Sequence, residues 1–252
     1  MSSLKNYFDL LWAFTEKELK VRYKKAFLGF FWVFLNPILQ MAIIGFVFSF
    51  FIKIPNYYLF LVLGLLCWQF FSISINKATI CFVNERTLLQ KAKIPKESIP
   101  LSIILSNFIH LVISLIIYSI FLWAVGKFLI SGLLLIIPAL LWLLILTIGI
   151  SLITASLNVR FRDINFFVQS ITILWFYATP VLYSLELIPP NLHSLFALNP
   201  LTSPFVLIQR AYLGFGLISN QILLINLVIS ILLLVLGVKI FQKKNHYFID
   251  WL

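Results

Sequence analysis

KELKVRYKKAFLGFFWVFLNP, residues Lys17 to Pro37, is the stretch that decides the fold. Lys17, Lys20, Arg22, Lys24 and Lys25 lead through Leu28-Gly29 into an unbroken apolar run that begins at Phe30. Basic side chains beside a membrane-length apolar segment mark its cytoplasmic end. The direction of this first span then sets the orientation of every later one. The expected fold is an all-α polytopic membrane protein.

Composition agrees with that expectation. The chain is 62% hydrophobic and 11% charged, against roughly 45–50% and 25% for soluble domains. A span needs about 20 predominantly apolar residues. The apolar runs predict six transmembrane helices, at 30–52, 57–82, 101–125, 132–157, 164–183 and 220–241. No linker separates them, so residues 1–252 are expected to form a single transmembrane helical domain. Its parts are an amphipathic segment over 1–29, spans one to five over 30–183, a re-entrant outer region over 184–216, and span six with its tail over 217–252.

Charge tests the count of spans. Of the nineteen Lys and Arg residues, fifteen fall on the inner side of six spans, counting Lys239 near the inner end of the last. Lys53, Lys127 and Arg210 fall outside, and Lys77 lies within a span. Such a bias predicts both termini in the cytoplasm. The net charge of +11 then requires no nucleic acid, since bases gathered at the inner face suit anionic membrane lipid or a cytoplasmic partner. Cys67 and Cys81 sit in the second span and read as buried thiols. The first apolar run is too long and comes too late for a cleavable signal peptide.

Leu4 to Phe27 reads as an amphipathic helix in the headgroup plane, with Leu4, Phe8, Leu11, Leu19, Tyr23 and Phe27 on its apolar side. It either anchors the chain to lipid or docks something cytoplasmic. Asn36-Pro37 is expected to kink the first span. Polar stripes recur on the spans: Gln69, Ser72, Asn76 and Thr79; Asn107, His110 and Ser114; Thr147, Ser151 and Thr154; Asn165, Gln169, Thr172 and Thr179. Small polar groups in membrane helices mostly hydrogen-bond to neighbouring helices, and a polar conduit is the competing reading. Lys77 is close enough to the inner end to snorkel.

Asn84 to Pro100, NERTLLQKAKIPKESIP, is the longest polar loop on the inner side. Glu85 to Lys91 has helix-forming residues with two apolar anchors, Leu88 and Leu89, and Pro95 limits the helix beyond them. It is an ordinary basic loop or a short helix on which a cytoplasmic motor pushes. In NVRFRD, Arg160 and Arg162 orient the protein and Asp163 suits a helix start. Glu186 to Gly216 is too polar to span and too apolar for a free loop. Two short helices dipping back from the outer face are predicted there, at 191–198 and 202–213. The tail from Lys243-Lys244 to Leu252 reads as a solvated terminus.

No Gly-rich phosphate loop, HExxH or CxxC occurs, and the three histidines are scattered. No two acids form a pair inside a span, which argues against ion-coupled transport and carboxylate catalysis. The expectation is a transport subunit without a metal or nucleotide site, powered by another chain.

RYKKAFLGFFWVFLNP (22–37), NERTLLQKAKIP (84–95), NVRFRDI (158–164), ATPVLYS (178–184) and LNPLTSPFVLIQRAYLG (198–214) together resemble the membrane permeases of ABC-type polysaccharide exporters. Those proteins export lipid-linked O-antigen, capsule or teichoic acid chains across the bacterial cytoplasmic membrane. The resemblance implies a homodimer that binds two copies of a separate ATPase, with ATP and Mg held by that partner. It implies coupling to the ATPase through Glu85, Arg86, Thr87, Leu88, Leu89, Gln90 and Lys91. It implies substrate entry and gating at Arg22, Tyr23, Lys24, Lys25, Leu28 and Gly29, where the cations would guide the diphosphate of a polyprenol-linked glycan. Pro189, Pro190, Asn199, Pro200 and Arg210 would belong to an outer gate. Aromatics facing a conduit would stack on sugar rings, although 42 aromatics are too many for all to do so. A permease for teichoic acid, drugs or small lipids is the alternative within transport; a membrane enzyme of glycolipid assembly is the alternative outside it.

Overall fold

The computed structural model describes residues 2–23, 29–48, 50, 56–92, 94–127, 129, 132–189, 192–214 and 216–251. Among them the regular elements are α-helices and 3-10 turns, and no strand occurs. The α-helices are α1 (Ser2–Tyr23), α2 (Trp32–Phe48), α3 (Tyr57–Asn84), α4 (Arg86–Lys91), α5 (Ser98–Ala124), α6 (Leu133–Arg160), α7 (Asp163–Ala178), α8 (His193–Ala197), α9 (Thr202–Leu213), α10 (Asn220–Lys244) and α11 (Phe248–Trp251). Helices satisfy their backbone groups internally, which is what a chain this apolar requires.

Among the described residues, α3, α5, α6 and α10 are long and apolar enough to cross a membrane. They match four of the six expected spans to within a few residues. The other two differ. α2 has 17 residues, and the expected first span ends among residues 49 and 51–55, which lie outside the described ones. α7 has 16 residues and stops at Ala178 rather than at residue 183. The cause is local: Thr179 precedes Pro180, so it is pushed out of the helical region and adopts φ −104, ψ 143. α2 runs on through Pro37, so no new segment begins there.

α3 is the central strut. Phe60, Leu61, Leu63 and Phe71 on it are all fully enclosed, and it packs against α2, α5, α6 and α7. α6 and α10 meet through glycine: a Cβ on Gly237 would stand 2.4 Å from the carbonyl oxygen of Gly149. Removing both side chains lets the two backbones approach, and close backbone contact is what holds helices together where no hydrophobic force separates them from lipid.

The polar stripes divide. Several hydroxyls donate one turn back along their own helix, as Thr147 does to the Leu143 carbonyl at 2.7 Å. Others bridge helices: Thr79 donates to Thr154 at 2.9 Å, Asn107 to Ser74 at 3.1 Å and Trp142 to Ser230 at 2.8 Å. These are structural bonds.

One expectation is corrected at the end of the bundle where α1, α4 and the C-terminus gather. The tail is not a solvated terminus: Phe248 has 0% exposure and belongs to a buried cluster with Cys81, Phe82, Leu89, Ile103, Val159 and Phe241. Of the positions expected on the apolar side of α1, Leu11 is buried and Phe8 is exposed.

Candidate functional site

The charged end is organised around the corner between α3 and α4. α3 ends at Asn84, Glu85 leaves the helical region at φ −99, ψ 23, and the chain restarts as the six-residue α4. Leu89 faces inward and is buried, while Arg86, Thr87, Gln90 and Lys91 are exposed. Ala92 is extended at ψ 133, which ends the helix before Pro95. The predicted helix over Glu85–Lys91 is therefore present from Arg86, with one of its two leucine anchors fully enclosed and Leu88 half-buried.

α1 is held against this corner by charge. Lys17 Nζ donates to Glu85 Oε1 at 2.6 Å, and Lys77 Nζ lies 4.0 Å from Glu18 Oε2. Lys77 thus reaches out of α3 toward the charged end, as a snorkelling lysine does. The four side chains border a cavity of about 230 Å³ whose other walls include Phe14, Asn84, Leu88 and Ser102. On α1, burial and the negative charge of Glu97 push the Tyr7 phenol above its usual range.

Of the residues expected at the entry, Gly29 alone can be placed in detail. It starts a short 3-10 turn at φ +47 with nothing near the position of a Cβ; only its backbone conformation requires glycine. Lys24, Lys25 and Leu28 lie outside the described residues, as do the side chains of Arg22 and Tyr23.

Along the bundle, α2, α3 and α7 flank a cleft of about 670 Å³. Gln40, Gln69, Asn76 and Gln169 supply its amides, and Trp68, Phe176 and Tyr177 its rings. Gln69, Ser72 and Asn76 of the α3 stripe and Gln169 and Thr172 of the α7 stripe therefore border this cleft, whereas Thr79 and Thr179 are buried in the packing. Amides beside aromatic rings offer hydrogen bonds to hydroxyls and flat apolar faces to the surfaces between them.

At the opposite end, α8 and α9 follow the break after α7. Asn199 is the hub. Its Nδ2 donates to the Ala178 carbonyl at 2.9 Å and to Thr179 Oγ1 at 3.1 Å. Its Oδ1 accepts from Trp175 Nε1 at 2.9 Å and from the Leu201 amide at 3.1 Å. Pro200 is buried beside it, whereas Pro189 and Arg210 are exposed and Pro190 lies outside the described residues. Gln209 donates to the Pro180 carbonyl at 2.6 Å, and His193 Nε2 lies 2.8 Å from the Ile188 oxygen. The expected outer-gate residues are thus split, with Asn199 and Pro200 locked into the packing and Pro189 and Arg210 on the surface. Neither the Lys17–Glu85 bond nor the four-bond role of Asn199 has a signature in the residue pattern.

No cluster of three or more potential metal ligands occurs among the described residues.

A family model described as ABC-2 type transporter matches residues 9–213. The chain is similar to proteins named O-antigen export system permease protein RfbA. One, from Klebsiella pneumoniae, is 33% identical over 255 residues, covering 96% of this chain and 95% of the relative. Another, from Myxococcus xanthus, is 34% identical over 251 residues, covering 98% and 96%.

Proposed function

This chain belongs to the ABC-2 type transporter family, and on that premise we propose that it is the channel-forming permease subunit of an ATP-driven exporter. Its cargo in this reading is a lipid-linked polysaccharide of the O-antigen kind, carried on a polyprenyl diphosphate across the bacterial cytoplasmic membrane. Relatives matched over nearly their whole length bear the name O-antigen export permease, which supports the cargo class.

The observation that carries the mechanism is α4. A separate six-residue helix turned out of a long apolar one, with four side chains exposed, is a handle for another protein. We assign it to a partner ATPase that holds ATP and Mg, two copies serving a homodimer of this chain. The bases around it agree with a cytoplasmic location for this end and for both termini. In this arrangement α2 and α7 complete six spans despite their shortness. α8 and α9 form short outer helices that return toward the bundle. α1 lies in the headgroup plane with Phe8 and Trp12 in lipid.

The cleft of α2, α3 and α7 is the wall that a second copy would close into a conduit. Phe166, Phe167, Ile173 and Leu174 are exposed along α7, an apolar margin suited to that contact. Glutamines and aromatic rings would then face the passing sugars. Lys24 and Lys25 precede the first span, where a diphosphate would enter.

Reconstitution tests the assignment. Proteoliposomes holding this chain, its ATPase and a lipid-linked glycan should translocate glycan only when both proteins and ATP are present. Translocation or ATP hydrolysis by the purified chain alone would overturn it.

A further inference from the structure

The C-terminal segment, residues 245–251, turns back beneath the bundle, and α11 touches both α4 and α6. The Phe248 ring lies 4.8 Å from that of Phe82 and 5.5 Å from that of Phe241. Lys96 Nζ donates to the Asn245 carbonyl and stands 5.8 Å from the Phe248 ring centre. At the far end of the segment, the Arg160 guanidinium lies 5.4 Å from the Trp251 ring. Trp251 in turn stacks on Tyr247 at 5.4 Å. Two cations, Lys96 ahead of α5 and Arg160 at the end of α6, therefore grip one short aromatic segment, each contact favoured by the ring's negative face.

α4 needs such support. A helix of six residues is not stable in isolation, because nucleation fixes several residues for few hydrogen bonds. Its N-cap residue Glu85 makes no capping bond to the helix, and its carboxylate is taken by Lys17. Packing has to hold it, and its buried side chain is Leu89. Leu89 and Phe248 belong to the same enclosed cluster.

We propose that residues 245–251 are a positioning strap for α4: Phe248 closes the cluster that seats Leu89, and Lys96 and Arg160 pin the strap on either side. Seated in this way, α4 presents Arg86, Thr87, Gln90 and Lys91 in one orientation. The consequence for coupling rests on the reading of α4 as the ATPase contact, whereas the strap itself does not.

Hydrogen–deuterium exchange on the full chain in lipid nanodiscs, without ATPase, tests the strap. Phe248→Ala should speed exchange of the hydrogen-bonded 89–92 amides about tenfold while α3, above the cluster, keeps its protection. Unchanged protection at 89–92 would overturn the proposal. Lys96→Met keeps the cluster filled and removes the pin; it should give a smaller increase, about threefold, in the same amides. It therefore serves if Phe248→Ala does not insert, and no increase with it would overturn the proposal equally. ATPase affinity is then measured on the same variants. Faster exchange with weakened binding supports strap and coupling together; faster exchange with unchanged binding supports the strap and removes the coupling role of α4. Weakened binding with unchanged exchange would overturn the strap.

Discussion

Lys17 on α1 and Glu85 at the head of α4 meet at 2.6 Å across 68 residues of sequence. The bond ties the N-terminal helix to the corner through which, in the proposed mechanism, the ATPase acts. Both side chains are partly solvated, at 47% and 29% exposure, so such a pair contributes only about 0.2–1 kcal/mol. Its value lies in registering two separate helices rather than in global stability.

Lys17→Glu and Glu85→Lys should each lower export by a factor of about 1.5–5, the range that 0.2–1 kcal/mol represents. The charge-swapped double variant should recover most of the loss. Glycan on the cell surface, normalised to permease in the membrane, is the measurement. Equal defects in the singles and the double would mean that the pair does not act as a unit.

Gly237→Ala should separate α6 from α10. The added carbon would meet the Gly149 oxygen at 2.4 Å, and a backbone oxygen cannot move aside as a side chain does. Overpacking of this kind costs about 1–3 kcal/mol. A lower melting temperature in detergent checks it, with Gly126→Ala as a comparison at a site with open space for the new atom but a φ of +70.

Asn199→Ala should unfasten the end of α7 from the α8–α9 corner, because it strands the Trp175 indole N–H and the Leu201 amide together. Each unsatisfied buried group costs about 1–3 kcal/mol. Thr179→Val removes one acceptor of the four-bond set and should cost less. Thermal melting ranks the two variants, and the reverse order would show that Asn199 is not the hub.

Gln69→Leu and Gln169→Leu should reduce export without altering the amount of folded protein or its association with the ATPase. Both side chains face the cleft rather than a neighbouring helix, so their loss leaves packing intact. Transport in proteoliposomes, compared with ATPase pull-down, separates cargo handling from assembly.

The four long apolar helices were legible because a continuous run of about 20 apolar residues has few other uses. α4 was legible too, since helix formers with two leucines stood between an Asn and a Pro. The true end of α7 was also written in the chain, as Thr179-Pro180, but the apolar residues beyond it masked the break. α1 was legible as a helix, but not in its surroundings, because a pattern of apolar residues does not tell Leu11, turned to the bundle, from Phe8, left exposed. The strap was hidden by its context: Lys243 and Lys244 suggest water, and seven residues show no period. The aromatic content of HYFIDW was the one available signal. Asn199 carried none, because a four-bond hub depends on partners 20 and 24 residues away.

A single cysteine at Gln90, in a chain whose Cys67 and Cys81 have been replaced by alanine, tests the central claim most directly. Gln90 is exposed on α4, and Trp123, 74% exposed at the opposite end, provides the matched control. A thiol-reactive photo-crosslinker at position 90 should capture the partner ATPase in native membranes, and the same probe at position 123 should not. Capture from 123, or none from 90 in membranes where export is active, would contradict the account.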